Sequence, residues 1–96
     1  MVTLSDIQQK KAEILRLARK YGAENIRVFG SVVRGTASSD SDLDLLIRLA
    51  PERSLIDRIA FMQDLEALLH VKVDVVNEKA LHPAIRKKIL REGKPL

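Results

Sequence analysis

Two aspartates, Asp42 and Asp44, stand at the start of an apolar run that ends at Leu49. On a β-strand, residues i and i+2 point to the same face, so both carboxylates would project side by side while Leu43 and Leu45 turn into the core. Two ionised carboxylates at this spacing repel each other, and a divalent cation offsets their charge. Mg²⁺ takes oxygen ligands of this kind together with substrate phosphates. The pair therefore predicts a magnesium site on a strand.

A third acid, Asp74, interrupts a β-branched run from Val71 to Val76. Burial of an unpaired charge within such a strand is costly, so the side chain should face either water or a partner. If this strand lies beside the one that carries Asp42 and Asp44, three carboxylates could hold two cations about 3.5–4 Å apart, as in enzymes that catalyse in-line displacement at phosphorus. A solvent-facing position at a sheet edge is the alternative for Asp74.

A Gly-Ser turn, Gly30-Ser31, precedes the aspartate pair by a spacer of ten residues. Glycine lets the backbone turn sharply and approach a ligand, and Ser31 would open a short helical segment whose free N–H groups favour an anion. A triphosphate would lie between this turn and the metals, within reach of Arg34. Each feature alone is weak, since Asp-x-Asp also suits a solvated strand end and Arg34 could pair with Asp40. Their combination favours a metal–nucleotide site.

The rest of the chain predicts the elements that hold these residues, in the order helix, strand, short helix, strand, helix, strand, helix. The first helix is expected to run from a cap at Ser5 to Gly22, and Ser54 is expected to cap a long amphipathic helix. The apolar stripe expected to be buried on that long helix consists of Leu55, Ile59, Met62, Leu65, Leu68 and Leu69. The expected fold class is α/β (α+β), a small mixed sheet of about three strands flanked by helices.

Composition limits the classes of protein that fit. The chain of 96 residues is expected to form a single domain, residues 1–96. It contains no cysteine, which excludes a disulfide framework and a thiolate metal site. No apolar run approaches the ~18 residues of a membrane span, and a cytoplasmic location without membrane attachment is expected. The net charge is +4, but with one Tyr, two Phe and no Trp there is no stacking platform, so direct nucleic-acid binding is not expected.

Together, Gly30-Ser31, the spacer, the Asp42/Asp44 pair and Asp74 resemble the pattern of the minimal nucleotidyltransferases (MNT) of the DNA polymerase β-like superfamily. The resemblance covers essentially the whole chain and implies a fold like the polymerase β palm. It implies metal-dependent transfer of a nucleoside monophosphate from NTP, in this family ATP, to a hydroxyl, with two Mg²⁺ ions. Asp42 and Asp44 would bind both metals, Asp74 would complete the metal site nearest the attacking hydroxyl, and Gly30 and Ser31 would hold the β and γ phosphates.

Stand-alone members of this family are usually encoded beside a HEPN-domain protein, and the two form a toxin–antitoxin pair. The resemblance therefore implies an antitoxin that neutralises a HEPN RNase toxin by adenylylating a tyrosine near its active site. One alternative is a non-catalytic antitoxin that acts by complex formation alone. Another is a nucleotidyltransferase for a small molecule such as an aminoglycoside, which ranks last because few residues are left for an acceptor pocket. The choice between a homo-oligomer and a hetero-oligomer with the toxin stays open.

Overall fold

The computed structural model describes residues 2–37 and 42–96, which alternate between helices and strands. Asp40, and with it the expected pairing with Arg34, lies outside the described residues. In chain order the elements are α1 (Leu4–Gln9), α2 (Lys11–Tyr21), β1 (Ala23–Phe29), α3 (Ser31–Arg34), β2 (Leu43–Leu49), α4 (Leu55–Leu69), β3 (Val73–Asn77), a 3-10 helix (Glu78–Ala80), α5 (Pro83–Glu92) and β4 (Lys94–Pro95). In the described ranges, no helix has the length and apolar character needed to cross a membrane.

The strands form one mixed sheet in the order β3-β2-β1-β4. β2 and β3 run parallel, and β1 runs antiparallel to both β2 and β4. The expected mixed sheet is confirmed, with one strand more than the sequence indicated. β4 spans two residues and pairs with β1 through Arg27↔Pro95 and Val28↔Lys94. Two residues carry no periodicity, so only the neighbouring strand could define this element.

The main core lies on one face of the sheet. Alternate residues of the central strand β2 point into it, and α1, α2 and α4 cover them, as expected from the two-residue period of a strand. The side chains that meet there and are at most 1% exposed are Ile7, Ile14, Val28, Leu43, Leu45, Ile47, Phe61, Leu65 and Val75. Asp44 lies between Leu43 and Leu45 in β2, and successive side chains of a strand point to opposite faces, so the Asp44 side chain projects from the other face of the sheet.

The N-terminal helical region begins earlier than expected and is divided in two. The Thr3 hydroxyl accepts a hydrogen bond from the Asp6 amide (3.2 Å), and the Asp6 carboxylate accepts one from the Thr3 amide (2.9 Å). This capping box places Ser5 inside α1, so the predicted cap at Ser5 is wrong. Lys10, with φ −98° and ψ 8°, separates α1 from α2. The predicted end at Gly22 is confirmed.

Helix α4 starts where the sequence predicts, but it buries a different face. Ser54 caps it, as expected. Phe61 and Leu65 are fully buried, whereas Leu55 and Ile59, expected in the buried stripe, are 57% and 38% exposed. The helix carries apolar residues on more than one face, so helical periodicity alone could not choose the face that packs on the sheet. The rest of the predicted stripe is partly buried against the core, apart from the fully buried Leu65: Met62, Leu68 and Leu69.

Candidate active site

The Gly-Ser turn connects β1 to the short helix α3. Gly30 has φ 78° and ψ −151°, a backbone conformation that is essentially restricted to glycine. Ser31 opens α3, as the sequence predicts, and the Arg34 amide donates to the Gly30 carbonyl at 3.2 Å. Gly35 follows α3 with φ 73° and turns the chain toward β2. The position of the turn at the end of a sheet strand is therefore fixed by local backbone geometry.

The turn at Gly30 lies directly against the side chain of Asp44. Phe29 and Asp44 are register partners in the antiparallel pair β1–β2, so the residue after Phe29 comes next to the carboxylate. A Cβ atom added to Gly30 would lie far inside van der Waals contact with Asp44 Oδ2 and 3.2 Å from its Cγ. Only a residue without a side chain can therefore stand at this position while the carboxylate keeps its place.

Asp44 and Asp74 are register partners across the parallel pair β2–β3. Neighbouring strands lie about 4.8 Å apart, and partners in parallel strands share a face, so the two carboxylates project from the same side of the sheet. Asp44 is half-buried and Asp74 is exposed. Asp42 lies immediately before β2 and is exposed. The sequence left open whether the strand of Asp74 lies beside that of Asp44, and the parallel pairing of β2 with β3 meets that condition.

The environment of Asp44 disfavours its ionised form. Burial raises the pKa of the Asp44 carboxyl above its usual value, and the negative charges of Asp74 and then Asp42 raise it further. The positive charge of Arg34 acts in the opposite direction. The fold thus brings Asp42, Asp44, Asp74 and Arg34 close enough for their charges to interact, with Asp44 in the middle. A cation would relieve the repulsion among the acids.

The donor chemistry of these acids fits Mg²⁺, although their spacing is not that of a finished metal site. Within residues 2–37 and 42–96, no group of three Asp, Glu, His or Cys side chains stands close enough together to hold an ion. Carboxylate oxygens are nevertheless the ligands that Mg²⁺ prefers, and a half-buried carboxylate between two others gains most from a counter-charge. If Asp42, Asp44 and Asp74 hold the ion, their side chains must move toward one another on binding.

A cavity that Asp74 helps to line carries no sequence signal. A cavity of about 490 Å³, lined in part by Asp74, lies between β3 and the N-terminal end of α4. Arg58 of α4, which also lines it, reaches β3, where its Nη1 donates to the Val75 carbonyl at 2.6 Å. These elements are contiguous only after α4 has packed on the sheet, so neither motif nor periodicity could indicate the cavity.

Comparison with known proteins identifies the family. Residues 10–96 match the family described as nucleotidyltransferase domain. The chain belongs to this family. A protein adenylyltransferase MntA of Thermococcus cleftensis is 41% identical to it over 93 residues, which cover 96% of this chain and 94% of that protein.

Solved structures agree with this assignment. One that is described as a minimal nucleotidyltransferase is similar with a TM-score of 0.90 and 43% identity, over 99% of this chain and 97% of the other. A structure of a toxin–antitoxin with AMP-PNP is similar with a TM-score of 0.75 and 26% identity, over 88% of this chain and 70% of the other. The resemblance to the minimal nucleotidyltransferases is therefore confirmed, together with the expected fold and the expectation of an enzyme of the nucleotidyltransferase class.

Proposed function

We propose that this nucleotidyltransferase transfers AMP from ATP to a tyrosine hydroxyl of a HEPN RNase toxin and so acts as its antitoxin. The observation that carries the proposal is the position of Asp44, which lies against the Gly30 turn on one side and faces Asp74 on the other. Two similarities support it. One relative, 41% identical, is named a protein adenylyltransferase, and one similar structure is a toxin–antitoxin with AMP-PNP.

In this reaction the oxygen of the acceptor hydroxyl attacks the α-phosphorus of ATP, and the bond from that phosphorus to the bridging oxygen breaks. Pyrophosphate leaves, and AMP stays on the acceptor oxygen. Asp42, Asp44 and Asp74 would hold Mg²⁺, which when bound supplies Lewis-acid activation and neutralises phosphate charge. Catalysis by such a site consists mainly of positioning and charge stabilisation.

Other functions of the site would fall to residues of the chain that bind the phosphates and accept the proton. Gly30 and Ser31 would hold the β and γ phosphates at the turn, where the missing Cβ of Gly30 lets the backbone come close. Arg34, whose charge acts on the Asp44 carboxyl, would offset negative charge on the phosphates. Asp74 is exposed beside Asp44 and would accept the proton from the attacking hydroxyl.

Intact-mass spectrometry of the HEPN-domain protein from the same genome tests this proposal. The partner is incubated with this chain, ATP and Mg²⁺, and the expected result is a mass increase by one or more AMP groups. The variant Asp42→Asn/Asp44→Asn should abolish the increase while circular dichroism shows an intact fold. Glu92→Gln, which removes an exposed acid at the end of α5, is the matched control and should behave as the wild type.

A partner that stays unmodified, yet is bound and inhibited by the wild-type chain, would overturn the proposal. That result would establish the non-catalytic antitoxin that acts by complex formation. Modification of an aminoglycoside instead of the protein would point to the small-molecule enzyme.

A further inference from the structure

β3 is an edge strand of the sheet, so within the described ranges only one side of its backbone adjoins another strand. On that side, the Leu43 amide of β2 donates to the Lys72 carbonyl at 2.8 Å. Backbone groups of alternate residues in a strand point to the same side, so those of Asp74 also face β2, whereas those of Val73 and Val75 point away from it. Backbone groups at the outer side of an edge strand need partners other than a strand.

Two side chains of helix α4 bond to this outer side of β3, one before and one after Asp74. The Glu66 carboxylate accepts from the Val73 amide at 3.0 Å. The Arg58 guanidinium donates to the Val75 carbonyl at 2.6 Å. A hydrogen bond with one ionised partner is about twice as strong as one between neutral groups. Both residues that flank Asp74 are therefore tied to α4 through their backbones.

Glu66 stands where its charge does not favour the helix that carries it. It belongs to the last turn of α4, residues 66–69, and that turn contains no basic residue. A negative charge near a helix C-terminus is unfavourable, because the helix dipole places partial negative charge there. The backbone carbonyl of Glu66 accepts from the His70 amide at 2.8 Å, where the helix ends. The position of this acid indicates a role outside the helix, at the start of β3.

Asp74 is the second residue of β3, close to the end of the strand, where local opening costs least. The side chains of Val73 and Val75 are 4% and 0% exposed, and their burial decides the face of the sheet from which Asp74 projects. Apolar burial is non-directional, whereas a hydrogen bond restricts both distance and angle. The two bonds to α4 therefore add what burial lacks, a fixed position of the Asp74 backbone relative to Asp44.

We propose that Glu66 and Arg58 are positioning residues for AMP transfer, because they hold the two neighbours of Asp74 on α4 and so keep the Asp74 carboxylate opposite Asp44. This inference rests on the proposed function, in which Asp74 accepts the proton of the attacking hydroxyl. Both side chains act through the backbone of β3 and not by contact with ATP. The residues that set the rate thus extend to α4, outside the Gly-Ser and Asp-x-Asp motifs.

Two variants of Glu66 separate the hydrogen bond from the other effects of the side chain. Glu66→Met keeps the length of the side chain but has no oxygen to accept, and Glu66→Gln keeps an accepting oxygen without the charge. Hydrogen exchange of the Val73 amide, followed by NMR in the full chain, measures the bond to β3. AMP transfer to the intact HEPN-domain protein gives kcat and the KM for ATP.

Loss of the bond should loosen β3 and slow the reaction. In Glu66→Met, the Val73 amide should exchange about tenfold faster or more, because a hydrogen bond to a charged group is lost. A catalytic group displaced by about 1 Å can lose about a hundredfold in rate, so kcat should fall by about tenfold to a hundredfold. The KM for ATP should not change, since the phosphates are held at the Gly30 turn. Glu66→Gln should restore kcat toward the wild-type value.

Ser54→Ala is the matched control on the same helix. It removes the side-chain cap at the start of α4 and so lowers stability, but it leaves both bonds to β3 in place. Its kcat should equal that of the wild type at a temperature where both proteins are folded. Arg58→Met removes the other bond and should lower kcat as Glu66→Met does, which keeps the test decisive if Glu66→Met fails to fold.

A wild-type kcat in Glu66→Met would overturn the inference, and so would an equal loss of kcat in Ser54→Ala or in Glu66→Gln. If Glu66→Met associates into dimers while kcat is kept, the bonds serve only to prevent pairing of β3 with another chain, which also overturns it. If the wild-type chain transfers no AMP, the proposed function fails. Faster exchange of Val73 in Glu66→Met would then still support the attachment of β3 by Glu66, and unchanged exchange would overturn it.

Discussion

The replacement Gly30→Ala tests whether the turn and the Asp44 carboxylate depend on each other as the structure indicates. Two effects are expected from one methyl group. The backbone at Gly30, with φ 78° and ψ −151°, is strained for any residue with a Cβ. The new methyl group also occupies the place of Asp44 Oδ2, so the carboxylate must rotate away.

The two effects act on different quantities. Backbone strain at such a conformation costs about 1–3 kcal/mol of the free energy of unfolding. For a domain of this size, each kcal/mol lowers the melting temperature by roughly 4–8 °C. The displaced carboxylate adds little to that cost, because Oδ2 is the end of a side chain that can rotate. Its displacement instead removes Asp44 from the place between Gly30 and Asp74, so AMP transfer should fall far more than stability does.

Gly35→Ala is the matched control. Gly35 also has a positive φ, 73°, but nothing lies within 4 Å of an added Cβ. Left-handed backbone costs a residue with a Cβ roughly 1–2 kcal/mol, so the two variants should lose similar stability. Urea unfolding followed by circular dichroism measures the stability of both, and intact-mass spectrometry of the partner measures AMP transfer. Transfer should be lost in Gly30→Ala and kept in Gly35→Ala at a temperature where both are folded.

The reasoning is refuted if Gly30→Ala transfers AMP at the wild-type rate, since the carboxylate then does not depend on the space beside Gly30. Equal loss of transfer in Gly35→Ala would also refute it. In that case general destabilisation of the segment between β1 and β2, rather than displacement of Asp44, would account for the effect.

Two further predictions concern stability. Burial and the charges of Asp74 and Asp42 raise the pKa of Asp44 in the folded state. Without metal, the free energy of unfolding should therefore fall as pH rises from the pKa of Asp44 in the unfolded chain to its higher pKa in the folded chain. Urea titration in EDTA should therefore find Asp44→Asn more stable than the wild type at about pH 7 but not at about pH 3. A stability difference between variant and wild type that is the same at both pH values would contradict the prediction. Phe61 is fully buried beneath the sheet, so Phe61→Ala should cost about 3–5 kcal/mol in the same titration, and a cost no larger than that of Leu68→Ala would be inconsistent with this packing.

Local features of the sequence determined the individual elements of the site. Glycine at position 30 permits the conformation of the turn, and the alternation around Asp44 separates its side chain from the core residues Leu43 and Leu45. Such signals depend on the backbone within a few residues, so they can be recognised in the sequence without knowledge of the fold. The same holds for the Ser54 cap and for the end of α2 at Gly22.

Tertiary packing decided which residues distant in sequence lie next to each other. The register of the parallel strands put Asp74 opposite Asp44, a pairing that the sequence raised only as one of two readings. The rotation of α4 about its axis buried Phe61 and left Leu55 exposed, because an apolar helix with more than one hydrophobic face is oriented by the shape of the sheet it meets. The sequence by itself thus determined the turn, the acids and the family, since these depend on residue types at short spacing. Only the folded chain decided the pKa of Asp44 and the cavity beside Asp74, since both arise from groups distant in sequence that packing brings together.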